Sequence, residues 1–269
     1  TTTATGGFST KQDSVAYWNS PFIEYVIAIF MVLSEINFSL YFMCLKGKFF
    51  NLFKDDECRW FLMSVGIVTL LITVPLVMQN HYGWEEAFRK AFFQVASIHT
   101  SCGFATDDYN VWPHFTWMLL IYTMFAGGCT GSTGGGIKNM RLLILFRNMK
   151  NEFSRLIHPR AVLPVKVNQQ ALSLSTISTV NTFILLYLIC IFVGWVALMF
   201  MGLELTESFG LVVSSLGNVG PGLGAYGPAF SWSALPDLAK WLLSFMMLIG
   251  RLELFGILLM FSPGFWHKR

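Results

Sequence analysis

The sequence predicts an all-α integral membrane fold, in which a spanning helix, a short inserted helix, a glycine loop and a second spanning helix form a repeating unit. Three observations predict it. The 269-residue chain is 54% hydrophobic and 12% charged, with a mean hydropathy of +0.57, whereas about 25% of residues are charged in an ordinary soluble domain. Several apolar runs reach the ~20 residues that cross a bilayer as a helix. Three glycine stretches interrupt this apolar pattern: Thr5-Gly6-Gly7-Phe8, Ser101-Cys102-Gly103-Phe104 and Asn218-Val219-Gly220-Pro221.

Residues 1–19 are polar and irregular, with no charged leader followed by an apolar core, and the N-terminal portion of a longer protein is expected to be missing ahead of them. Residues 21–45 form one apolar run, long enough to span and interrupted by Glu35 and Asn37. A charged loop covers 46–59 and a second span 60–78. Residues 84–99 open with Glu85 and Glu86 and then place Phe88, Ala91, Phe92, Val95 and Ile98 on one helix face. This helix is too short to cross.

Residues 113–126 are apolar, yet at ~1.5 Å per residue they cover roughly 21 Å, less than a bilayer. Six glycines follow within Gly127-Gly128-Cys129-Thr130-Gly131-Ser132-Thr133-Gly134-Gly135-Gly136, and helical periodicity resumes over 137–157. The pattern is that of one spanning helix broken in its middle. A basic loop at 158–170, a long span at 171–201 with a polar first part, a second short helix at 204–216 and a last span at 236–261 complete the chain, which ends His267-Lys268-Arg269.

Of the 18 Lys and Arg residues, 13 fall in the 46–59 and 138–170 regions and at the C-terminus. Lys11, Arg89, Lys90 and Lys240 fall on the other side, and Arg251 lies within a span. The positive-inside rule puts the first group in the cytoplasm and the glycine loops opposite.

Aligning Gly7 with Gly103 also matches Thr5 with Ser101, Phe8 with Phe104 and Thr10 with Thr106, and aligning Gly103 with Gly220 brings Phe92 onto Phe209. Backbone that is neither helix nor strand survives at membrane depth only where protein buries it or water reaches it. A short helix followed by a glycine loop therefore implies a pore, with carbonyls that replace an ion's hydration shell. Gly7, Gly103 and Gly220 are the positions where dihedrals that a β-carbon forbids are expected. The third copy departs from the others, with Pro221 in place of Phe and Val219 in place of Gly6.

The Gly127–Gly136 run is not a phosphate loop, because Ile137 stands where the motif needs Lys. A pore-lining intramembrane gate is the expected role. Arg251 is costly if it faces lipid. It either pairs with Glu35 or Glu253 or sets a positive charge below the loops. Asp107 and Asp108 form an acidic mouth or a solvated turn. His99 is read as a packing residue and Cys102 as a small residue whose carbonyl is used. The five cysteines show no CxxC spacing, so no disulfide framework or zinc site is expected. No catalytic constellation is visible, which argues against an enzyme.

The three loops (the last within Gly217-Asn218-Val219-Gly220-Pro221-Gly222), the Gly127–Gly136 break and Arg251 together resemble the TrkH/KtrB family of potassium uptake proteins, the TrkH branch above all, over essentially the whole chain. The resemblance implies a potassium-channel-like fold of four span–pore helix–span repeats around one pore. Residues 1–57 would be the filter loop and second span of the second repeat, 58–165 the third repeat and 166–269 the fourth; the first repeat and the second repeat's pore helix are absent. It further implies a K+ filter of Thr5, Gly6, Gly7, Ser101, Cys102, Gly103, Asn218, Val219 and Gly220. Gly127, Gly128, Gly131, Ser132, Thr133, Gly134, Gly135 and Gly136 would belong to a gating loop, and Arg251 would constrict the path. Family members are homodimers of the bacterial inner membrane and meet a cytoplasmic nucleotide-binding regulatory subunit, TrkA in the TrkH branch; K+ is cargo, and no organic cofactor is implied. The expected function is inward K+ movement, alone or coupled to Na+ or H+. A secondary transporter that binds an anionic solute at the broken helix and a non-transporting membrane scaffold are the competing readings.

Overall fold

Polar residues decide where each apolar run starts and stops as helix. The computed structural model describes residues 1–47, 50–260 and 266; Lys48, Phe261, His267, Lys268 and Arg269 lie outside them. The first run folds as two helices, α1 (Pro21–Ser34) and α2 (Phe38–Leu45), bent by 94°. The run expected over 21–45 is therefore not one continuous helix. Glu35 closes α1, and Asn37 opens α2 by accepting the Ser39 amide at 2.8 Å. After α3 (Phe50–Lys54), Asp55 caps α4 (Asp56–Gln79) by accepting the Cys58 amide at 2.8 Å. Helices α5 (Trp84–His99), α6 (His114–Phe125) and α7 (Asn139–Ile157) follow. A small antiparallel hairpin, β1 (Lys166–Val167) and β2 (Gln170–Ala171), turns through Asn168 and Gln169 at positive φ. Then come α8 (Leu174–Phe200), α9 (Leu205–Gly217), α10 (Asp237–Arg251) and α11 (Phe255–Met260). The last run is thus broken at 252–254, where a continuous span over 236–261 was expected.

Among the described residues, α4 and α8 are each long and apolar enough to cross a membrane, and the bent pair α1 and α2 would make a third if taken as one span. Both long helices keep apolar side chains exposed, such as Ile67 and Leu70 on α4 and Leu188 and Phe192 on α8. Lipid tails are as apolar as Leu, so these faces suit a bilayer.

The short helices are inserted between the spans. Helix α5 packs on α1 and α4, α9 packs on α8 and α10, and α6 touches both α5 and α9. Every residue of α5 from Phe93 to His99 is buried, as is every residue of α9 from Gly210 to Gly217. The one-faced burial expected for Phe88, Ala91, Phe92, Val95 and Ile98 is therefore corrected: Phe88 is 38% exposed, while the C-terminal end of the helix is enclosed on all sides. A buried ion pair between Arg89 of α5 and Glu24 of α1 locks the two helices together.

Candidate functional site

Thr5, Ser101 and Asn218 each adopt a left-handed backbone, with φ of 49°, 54° and 56°. In each copy the amide of this residue donates to the carbonyl three positions back (Thr2, Ile98, Ser215) at 3.0–3.2 Å. The next amide donates to the carbonyl five positions back: Gly6 to Thr1 at 3.0 Å, Cys102 to Ser97 at 2.9 Å and Val219 to Ser214 at 2.9 Å. These paired bonds are the Schellman pattern, which closes α5 and α9 in the second and third copies and forms on a turn in the first. Asn accepts a left-handed backbone readily, whereas β-branched Thr rarely does. Gly7, Gly103 and Gly220 return to positive φ, at 59°, 83° and 110°. Each middle residue is thus flanked by left-handed neighbours, in three copies of one backbone path.

The amides that follow each left-handed turn are tied back to the helix end, and the carbonyls are not. Among the described residues, no donor bonds to the carbonyl oxygens of Thr5, Gly6, Gly7, Ser101, Cys102, Gly103, Asn218, Val219 or Gly220. These same nine residues line one cavity of about 430 Å³. The cavity is open, with Gly220 exposed and Thr5, Gly6, Gly7, Gly103 and Asn218 half-buried, and unpaired carbonyls gathered around it are an oxygen set suited to a cation. The loops also fit one another in order. A β-carbon on Gly7 would collide with the Cys102 carbonyl oxygen, and one on Gly103 would stand 2.6 Å from the Val219 carbonyl oxygen.

The Gly127–Gly136 segment separates α6 from α7 and is closed at its neck, where Ile137 donates to Phe125 at 3.0 Å and Gly127 donates to Ile137 at 2.8 Å. It lies against one end of the loops. Thr5 Oγ1 donates to the Thr133 carbonyl at 3.3 Å, and a β-carbon on Gly135 would meet the Gly217 carbonyl at 2.5 Å. Arg251 Nη1 donates to the same Thr133 carbonyl at 2.7 Å. Met247, one turn earlier on α10, lines the cavity. Arg251 therefore stands beside the segment, just beyond the cavity. Of the two readings of Arg251, the ion pair with Glu35 or Glu253 is not the one seen: Glu253 pairs with Arg141, and Glu35 is bonded by Ser132 and Thr133.

Asp107 does not serve as a free acidic mouth, because Lys90 pairs with it at 3.2 Å. Asp108 accepts the Asn110 amide at 3.0 Å and shapes a turn. His99 stacks on Phe61, with ring centres 5.1 Å apart. Sequence reasoning missed Ser97 and Ser214, although aligning Gly103 with Gly220 superimposes them. Ser97 Oγ donates to the Phe104 carbonyl, and Ser214 Oγ accepts the Gly220 amide at 3.0 Å.

The family described as the cation transport protein TrkH matches residues 1–268. The chain belongs to the TrkH family. The Trk system potassium uptake protein TrkH of Salmonella typhimurium is 40% identical over 272 residues, covering 99% of this chain and 55% of that protein. The Trk system potassium uptake protein TrkG of Escherichia coli K12 is 36% identical over 268 residues, with the same two shares of 99% and 55%. The crystal structure of the potassium transporter TrkH from Vibrio parahaemolyticus matches with a TM-score of 0.93 at 37% identity, over 99% of this chain and 57% of that one. The chain thus spans about half the length of these TrkH-family relatives, and it shares their helical, multi-pass membrane fold.

Proposed function

We propose that this chain is part of a potassium uptake protein of the bacterial inner membrane, in which K+ passes a filter of backbone carbonyls. The observation that carries the reading is the set of nine carbonyls around one cavity that have no donor among the described residues. Potassium is assigned from the named function of the relatives. In this reading Thr5 to Gly7, Ser101 to Gly103 and Asn218 to Gly220 are three walls of the filter. The 127–136 segment is a gate across the path. Arg251 puts a fixed positive charge beyond the filter and raises the barrier to cations.

Residues 1–57 act as the filter loop and second span of the second of four units, 58–165 as the third and 166–269 as the fourth, and the remaining wall comes from the rest of the full-length protein. That protein works as a homodimer, with the basic cytoplasmic loops docking a nucleotide-binding regulatory subunit. It moves an ion and performs no covalent chemistry.

Flux of Rb+ and Na+ into liposomes holding the full-length protein tests this. Selective Rb+ entry that is lost in Gly103→Ala is the expected result. Saturable uptake of an organic anion without Rb+ entry, or no flux of any kind, overturns it. Arg251→Ala should raise cation flux, and an unchanged or lower flux counts against the barrier role.

A further inference from the structure

Glu35 is fully buried at the break between α1 and α2. A carboxylate at membrane depth is costly and marks function. Its surroundings come largely from the 127–136 segment. Oε2 accepts Ser132 Oγ at 2.6 Å, Oε1 accepts Thr133 Oγ1 at 3.3 Å, and the Glu35 carbonyl accepts the Cys129 amide at 3.0 Å.

Two of the segment's glycines have no conformational reason to be glycine, because neither Gly128 nor Gly134 has positive φ. Their reason is space. A β-carbon on Gly128 would overlap Glu35 Oε2, and one on Gly134 would lie 2.7 and 2.8 Å from the two carboxylate oxygens. Lys138 closes the arrangement from the segment's far end, with Nζ 3.3 Å from Ser132 Oγ and 2.5 Å from the Gly134 carbonyl. The glycine-rich segment is thus a cup folded around one carboxylate that a distant part of the chain supplies. Thr133, on the rim of the cup, also meets Thr5 and Arg251.

We propose that Glu35 is the positioning residue that latches the 127–136 segment across the end of the cavity, and that release of its carboxylate from Ser132 and Thr133 opens the path. The inference rests on the transport reading, in which the segment lies on the ion's route. The test uses the full-length protein in liposomes, as wild type and as Glu35→Ala, Glu35→Gln and Ser132→Ala. Two quantities are read: Rb+ flux, and the rate at which a maleimide alkylates Cys129, resolved by peptide mass spectrometry. Cys129 is buried inside the segment, at 1% exposure, so its labelling reports release without reference to transport.

Losing a charge-assisted hydrogen bond should shift the open-to-closed ratio by on the order of tenfold. Glu35→Ala is expected to speed Cys129 labelling and raise Rb+ flux by about that factor. Glu35→Gln should fall between, since its amide oxygen still accepts one hydroxyl. Ser132→Ala alters a partly exposed residue of the segment itself and should move both readouts in the same direction, so it decides the matter if the Glu35 variants do not fold. Wild-type labelling rates in Ser132→Ala and in every Glu35 variant that folds overturn the latch, as does a fall in flux with labelling unchanged. If even the wild type passes no Rb+, the transport reading fails, while Cys129 labelling still decides the latch.

Discussion

A methyl group on Gly103 would stand 2.6 Å from the Val219 carbonyl oxygen and 3.5 Å from Pro221 Cδ, on a backbone already at φ 83°. Substitution by Ala must therefore push one loop away from the next. At Gly220 the same methyl group meets only the Gly103 Cα, at 4.0 Å, so the cost there is confined to backbone strain at φ 110°, about 1–3 kcal/mol. Rb+/Na+ selectivity is expected to suffer more in Gly103→Ala than in Gly220→Ala, at equal expression. Equal losses would mean that loop-to-loop packing does not set the cage. These glycines were legible because they recur in register within similar surroundings. The left-handed residues before them were not. Asn218 has a known tolerance for that backbone, but Thr5 and Ser101 carry no local preference for it, and only the bonds from their own and the next amide to preceding carbonyls hold them there. Glu35 was visible as a polar interruption, yet nothing in its neighbours along the chain shows that its partners lie almost a hundred positions away.

At the scale of elements, α5 is aimed by what holds it to α1. Arg89 and Glu24 form a buried pair, with side-chain exposures of 11% and 5%. Removing one partner leaves an uncompensated buried charge and should cost about 3–5 kcal/mol, whereas replacing both with apolar residues of similar size is far better tolerated. Arg89→Met should thus lower the melting temperature of the full-length protein in detergent, and Arg89→Met combined with Glu24→Leu should recover most of it. A double variant no more stable than the single one removes the pair as the cause. The helix positions and the glycine break were readable from apolar runs and periodicity. The bend at 35–37 and the break at 252–254 were not, because counting apolar residues measures length and says nothing of direction. Burial on all sides of the α5 end was likewise hidden, since helical periodicity describes a helix lying on a core and not one driven into it.

For the molecule as a whole, the loops meet in series. Gly7 faces the Cys102 carbonyl, Gly103 faces the Val219 carbonyl, and Gly220 faces no carbonyl of the described residues within 4 Å. In the filter proposed above, a cage built by this succession would have its next wall beside Gly220, and the relatives, which this chain covers to 55%, have the length to supply one. A cation held by three walls keeps water on its fourth side. It then loses less of its hydration shell on entry, and the size discrimination that depends on replacing that shell weakens. Liposomes holding this chain alone should therefore show Rb+ and Na+ fluxes near parity, or no flux, where the full-length protein is proposed to favour Rb+. Co-reconstitution with the remaining part of the protein, expressed separately, should restore the preference. Full selectivity from this chain alone would show that copies of it close the ring by themselves, and the four-walled arrangement would have to be abandoned.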